Sequence, residues 1–265
     1  MRSSWIGALA LVCVAVWAGC GDDDDDGGGS GTAGSGGEPT RLIVSAASSM
    51  TEALEQCAPE FGDAENADVR LSFAGSDELA AQIRQGAKVD VFAAANTRLP
   101  DELHADDLVG APAEFATNEF VLAVPKDSKI DSVDDLTAEG TTVVIGSESV
   151  PIGSYTRETL AKLPAGQEKA ILGNVRSNEP DVKSIVGKLT QGAADAGFVY
   201  ITDVNAAGDE LRAIHLPDEV EPQVTYGAAV VAKAPQPELA QKFVDGLTSG
   251  DCADALEAAG FGPAP

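Results

Sequence analysis

Four segments of the chain each join a small polar turn to the first residues of a helix. They are Ala46-Ala47-Ser48-Ser49-Met50-Thr51-Glu52, Phe73-Ala74-Gly75-Ser76-Asp77-Glu78-Leu79, Val150-Pro151-Ile152-Gly153-Ser154-Tyr155 and Asn178-Glu179-Pro180-Asp181-Val182-Lys183. The first follows the apolar run Leu42-Ile43-Val44 and the second the alternating run from Val69 to Phe73, so each reads as strand, turn, helix. Repetition of that unit restricts the fold to α/β layers, a mostly parallel sheet with helices on both faces. Unpaired N–H groups at a helix start, together with the positive end of the helix dipole, hold an anion without any cationic side chain. Several such starts converging would form an oxyanion receptor.

The remaining pattern extends the same alternation. Thr51 to Phe61 reads as an amphipathic helix with Leu54, Ala58 and Phe61 on one side, and Leu79 to Arg84 as a second, closed by Gly86. Strands are expected at Val89 to Ala93, Phe120 to Pro125, Thr142 to Gly146, Ala196 to Tyr200 and Thr225 to Ala232. A helix should run from about Gly153 to Leu163. Val182, Ile185, Val186 and Leu189 form the apolar face of another, which Gly192 ends. No period of repeat-protein length recurs, which excludes a solenoid.

With 265 residues and 44% hydrophobic content, the chain is long enough for two modest domains with real cores. Its formal net charge is −26 and stays strongly negative when the aspartate run Asp22 to Asp26 is set aside. Nucleic acid is therefore disfavoured as a partner, because little would neutralise its phosphates. A small anion is not excluded, since exposed charges more than ~8 Å away are largely screened at physiological salt.

The amino terminus reads as an export signal over residues 1–19, with Arg2 as its positive charge, Ile6 to Val16 as its apolar stretch and Ala18-Gly19-Cys20 as its cleavage site. That ending resembles a bacterial lipobox, which would make Cys20 the lipidated first residue of the mature chain; an ordinary secretory signal with an incidental Cys20 is the other reading. Residues 20–38 carry the aspartate run and a Gly/Ser-rich stretch that cannot bury enough apolar surface to fold. They are expected to act as a flexible tether with a reach of about 20–25 Å. With Cys13 lost with the signal, Cys57 and Cys252 remain as an even pair in an exported chain, which predicts a disulfide between them.

From Pro39 on, the ordered motifs resemble the molybdate-binding substrate-binding proteins of ABC transporters. The residues that carry the resemblance are Ala47-Ser48-Ser49-Met50-Thr51-Glu52-Ala53-Leu54; Phe73 to Ser76 with Leu79 to Ala87 and Asp90-Val91-Phe92; Val150 to Tyr155; and Asp195 to Tyr200 with Thr202-Asp203. The resemblance implies a two-lobe, periplasmic-binding-protein-like (type II) α/β fold with the ligand in the cleft between lobes. Residues 39–119 plus 226–265 would form lobe 1 and residues 120–225 lobe 2. Ser49 and Ser76 would each offer a hydroxyl and an N–H, Ile152 and Val182 backbone N–H groups, and Tyr200 its phenol. The implied function is capture of molybdate, and also tungstate, by a monomeric lipoprotein on the outer face of the cell membrane, which delivers it to a membrane permease. No cofactor, catalytic residue or metal cation is implied.

Each of these residues also has an ordinary reading. Ser49 with Glu52 spells a capping box, Ser76 an N-cap, Ile152 and Val182 plain packing, and Tyr200 a core tyrosine with a satisfied hydroxyl. Asp77, if it faced the cleft, would repel a dianion and reward a protonated one, which keeps a receptor for phosphate or sulfate as an alternative. A secreted hydrolase is a further alternative, but only His104 and His215 could serve as a base, and no nucleophile elbow, metal-spaced histidine pair or phosphate-binding loop occurs.

Overall fold

A computed structural model describes residues Glu38–Pro265. The signal segment with Cys13, the lipidation candidate Cys20 and all of the tether except Glu38 lie outside the described residues. Two sheets form the frame. The first takes β1 (Thr40–Ala47), β2 (Ala67–Ala74), β3 (Val91–Ala94), β4 (Ala113–Asn118), β10 (Val224–Val230) and β11 (Gly262–Pro263), in the order β11-β4-β10-β3-β1-β2. The second takes β5 (Phe120–Pro125), β6 (Val143–Gly146), β7 (Val175–Glu179), β8 (Ala196–Tyr200) and β9 (Leu211–His215), in the order β7-β6-β8-β5-β9.

Both sheets are mixed rather than mostly parallel. The strands that lead into the predicted turns, β1, β2 and β3 in one sheet and β6, β7 and β8 in the other, pair in parallel. Strands β4, β5, β9, β10 and β11 pair antiparallel. The chain passes from β4 to β5 through the single residue Glu119, and returns between β9 and β10.

Burial follows the two-residue period of a strand covered on both faces. Leu42, Val44 and Ala46 of β1, with Val91 and Ala93 of β3, point into one core, which continues into the second sheet. Phe92 and Ala94 point the other way and meet Leu79, Ile83, Leu99 and Leu103. Those four belong to α2 (Ser76–Arg84) and α3 (Arg98–Ala105). On the opposite face α1 (Thr51–Glu65) packs against the last helix, α9 (Asp251–Ala259). A disulfide joins Cys57 and Cys252 across that contact, with the Cα atoms 4.9 Å apart. Phe61 of α1 meets Phe243 of α8 (Pro237–Gly246) edge to face at 5.1 Å.

The second sheet is flanked by α4 (Pro151–Lys162), α5 (Ala165–Asn174), α6 (Val182–Thr190) and α7 (Ile201–Ala207). Helix starts agree with the sequence pattern to within two residues at α1, α4 and α6. Helix α2 begins three residues before the predicted start at Leu79, because the turn residue Gly75 already serves as its N-cap.

Candidate oxyanion site between the two sheets

Four helix starts meet in one small cavity. It is lined by Ala47, Ser48, Ser49, Ala74, Gly75, Ser76, Ala95, Val150, Pro151, Ile152, Asp181, Val182 and Tyr200. All five residues expected to bind an anion, Ser49, Ser76, Ile152, Val182 and Tyr200, are in this lining, and each is buried.

Local chemistry explains each position. Ser49 sits in a single 3-10 turn, Ser48–Met50, between β1 and α1, and its hydroxyl lies 2.8 Å from that of Tyr226. It does not cap α1: the N-cap is Met50, with no side-chain cap. Glu52, the other half of the expected capping box, is instead bonded to Lys183 Nζ through both carboxylate oxygens at 2.8 Å. Ser76 is the first residue of α2 rather than its cap, and its Oγ accepts the Ala95 N–H at 3.1 Å.

Ile152 follows Pro151 at the start of α4, where the missing proline N–H costs nothing. A Cβ on Gly153 would stand 1.8 Å from the Ser147 carbonyl oxygen, so only glycine lets this first turn approach the end of β6 so closely. Val182 opens α6 behind Asp181, whose carboxylate accepts the Ser184 N–H at 2.8 Å. The N–H groups of Ser76, Ile152 and Val182 fall among those that a helix leaves without an intrahelical partner. Tyr200 ends β8, and its hydroxyl is fully buried with no hydrogen-bond partner. An orphaned buried hydroxyl is costly, and this one lies in the wall of the cavity. Burial, followed by the nearby Tyr226, Tyr155 and Asp203, pushes the Tyr200 pKa well above the ordinary tyrosine value, so it stays a neutral O–H.

No lysine or arginine is among the lining residues, and the one carboxylate, Asp181, is engaged in capping. Asp77 is outside the lining and its carboxylate accepts the Ser149 hydroxyl. Outside the lining, segments of the two sheets meet at Asp77 with Ser149 and at Glu52 with Lys183. A third approach is closer still, for a Cβ on Gly75 would lie 2.3 Å from the Pro180 carbonyl oxygen.

Behind Tyr200, Asp203 is fully buried; its Oδ2 accepts the Tyr200 N–H at 3.3 Å and its Oδ1 lies 3.3 Å from Lys183 Nζ, an ion pair without an aligned hydrogen bond. Burial raises the Asp203 pKa to about 6 despite the opposing pull of Lys183. For Lys183, burial acts downward but Asp203 and Glu52 outweigh it, and its pKa is raised.

The two histidines stand apart from the cavity. His104 lies in α3, with Nδ1 3.1 Å from the Val109 carbonyl oxygen, and His215 at the end of β9 pairs with Glu119. Among the described residues, no group of three or more histidine, cysteine or acidic side chains could hold a metal ion. Tyr226 and Asn118 escaped the sequence reading. Tyr226 reaches Ser49 from 177 positions away, and an apolar strand pattern carries no sign of such a contact.

Residues 42–262 match the family model described as bacterial extracellular solute-binding protein. The molybdate-binding protein ModA of Mycobacterium tuberculosis is 36% identical over 224 residues, covering 83% of this chain and 84% of that protein. Among solved structures, the Azotobacter vinelandii periplasmic molybdate-binding protein superposes with a TM-score of 0.74 at 20% identity, over 83% of this chain and 98% of the other. The sulfate-binding protein SubI of Mycobacterium tuberculosis does so with 0.73 at 17%, over 84% and 87%. At such identities these two show a shared fold. The chain belongs to the bacterial extracellular solute-binding protein family and, at 36% identity over most of both chains, groups with its ModA-type members.

Proposed function

We propose that this protein captures molybdate, and with it tungstate, in the cavity between the two sheets, and delivers it to an ABC permease. In this reading it is an exported, monomeric binding protein and not an enzyme, held at the outer face of the membrane by a lipid on Cys20. Residues 39–119 and 226–265 act as one lobe and residues 120–225 as the other. Ser49 and Ser76 donate from the first lobe, and Ile152, Val182 and Tyr200 from the second.

One observation carries the reading: a buried cavity ringed by neutral donors, with no cation in its lining and an orphaned tyrosine hydroxyl in its wall. Such a cavity suits an anion that brings acceptors on every side and no proton of its own. Both halves must donate at once, so binding favours the closed arrangement over an open one. The hydrolase alternative lacks support, because neither serine hydroxyl is bonded to a base: their partners are the Tyr226 phenol and the Ala95 N–H. Among the described residues no helix is long and apolar enough to cross a membrane.

Thermal unfolding in the presence of molybdate, tungstate, sulfate or phosphate tests the reading. At a hundredfold excess over Kd, molybdate and tungstate should each stabilise by about 2.7 kcal/mol. Stabilisation by phosphate or sulfate instead would assign the cavity to that ion. In the double variant Ser49→Ala, Ser76→Ala the molybdate shift should vanish while the apo protein stays folded; full binding by that variant would place the site elsewhere.

A further inference from the structure

Each hydroxyl in a buried chain of hydrogen bonds can donate only once, so one fixed end dictates the direction of every link. The Ser49 hydroxyl stands at the end of such a chain. At the other end the Glu119 N–H donates to Asn118 Oδ1 at 3.0 Å, which fixes the orientation of the amide. The amide nitrogen must then face the other way, and it donates to Thr202 Oγ1 at 3.0 Å and to the Tyr226 hydroxyl oxygen at 3.3 Å, the longest link. Having accepted from Asn118, Tyr226 directs its own proton to Ser49 Oγ at 2.8 Å. The Ser49 proton is left for the cavity.

We infer that Asn118 and Tyr226 are positioning residues which commit the Ser49 hydroxyl to donation, and that this direction sets the preference for fully deprotonated oxyanions over proton-bearing ones. The inference rests on the oxyanion reading above and deepens it. Packing keeps the relay rigid: the Tyr226 ring is completely buried, in edge contact with Phe261 at 5.2 Å, Tyr200 at 5.9 Å and Phe115 at 6.0 Å. Ser76 reaches the same state more simply, because its oxygen accepts a backbone N–H that can never reverse. Both serines therefore offer the cavity a proton. A ligand O–H directed at either would have to share an oxygen that already accepts one hydrogen and would leave the serine proton without an acceptor, and that mismatched polar contact would count against it.

Two variants test the relay. Asn118→Asp keeps the size of the side chain but replaces a donor with an acceptor. Tyr226 would turn its proton to the carboxylate and accept from Ser49, which then shows the cavity a lone pair. Tyr226→Phe removes the link and frees Ser49 to rotate. The readout is the ratio of affinities for molybdate and hydrogen phosphate, taken by calorimetry and competition at about pH 8, where both ions carry two charges. The added negative charge of Asn118→Asp then cancels from the ratio to first order.

The wild-type ratio should fall at least tenfold in Asn118→Asp and roughly three- to tenfold in Tyr226→Phe. Apo unfolding curves identify any variant that fails to fold, and the other variant then decides. If folded variants keep the wild-type ratio, even with both affinities weakened, the relay is refuted and the oxyanion reading stands. If the wild type binds hydrogen phosphate better than molybdate, the directional argument fails. If it binds neither, the oxyanion reading fails and the relay falls with it.

Discussion

Asp203, fully buried behind Tyr200, couples its ionisation to folding. Its pKa rises from 3.8 to about 6 on burial, so between those values the folded chain holds a proton that the unfolded chain has released. Its contribution to stability is therefore fully present below about pH 4 and is lost as pH rises through about 6. Asp203→Asn should remove that component while keeping an acceptor for the Tyr200 N–H. The difference in unfolding free energy, wild type minus variant, should fall as pH climbs from 4 to 6; a flat difference would show that the carboxyl ionises normally. At this scale much of the site was legible in the sequence. Ser49, Ser76, Ile152, Val182 and Tyr200 all line the cavity, because a helix start after a strand is a local pattern. Tyr226 and Asn118 were illegible because their role depends on strands joined by long-range pairing.

At the scale of elements, the close seat of α4 on β6 is what aims the Ile152 N–H. Gly153→Ala would force the new Cβ against the Ser147 and Gly146 carbonyl groups and lift the first turn. The variant should lose about 1–3 kcal/mol of stability and bind molybdate more weakly, measurable by denaturant unfolding and calorimetry. Unchanged affinity would mean that the α4 start takes no part in binding. Elements with strong periodicity, such as β5, β8 and α6, were readable in advance to within a residue or two. Helix α5 was not, since Ala170, Ile171 and Leu172 are consecutive and trace no stripe at helical spacing. Strands β4 and β7 carry charged and polar residues among few apolar ones. Parallel pairing was overestimated because alternation of strand and helix describes β1 to β3 and β6 to β8, but not the strands that carry the chain between sheets.

Over the whole molecule, one covalent link outweighs any single noncovalent contact. The disulfide between Cys57 and Cys252 spans 195 positions, and closing so long a loop restricts the unfolded chain strongly. Reduction, or Cys57→Ser with Cys252→Ser, should cost about 2–5 kcal/mol and lower the Tm. An unchanged Tm would mean that the link adds nothing to folding. Ser49 follows β1, Tyr226 lies on β10 and Asn118 ends β4, so these three residues belong to the half built on the first sheet. Of the relay's links only the one from Asn118 to Thr202 on α7 crosses to the other half. The steps that set the Ser49 proton, Asn118 to Tyr226 to Ser49, thus stay within one jaw, so on the proposed relay an ill-suited guest would be turned away on arrival rather than expelled after the bite.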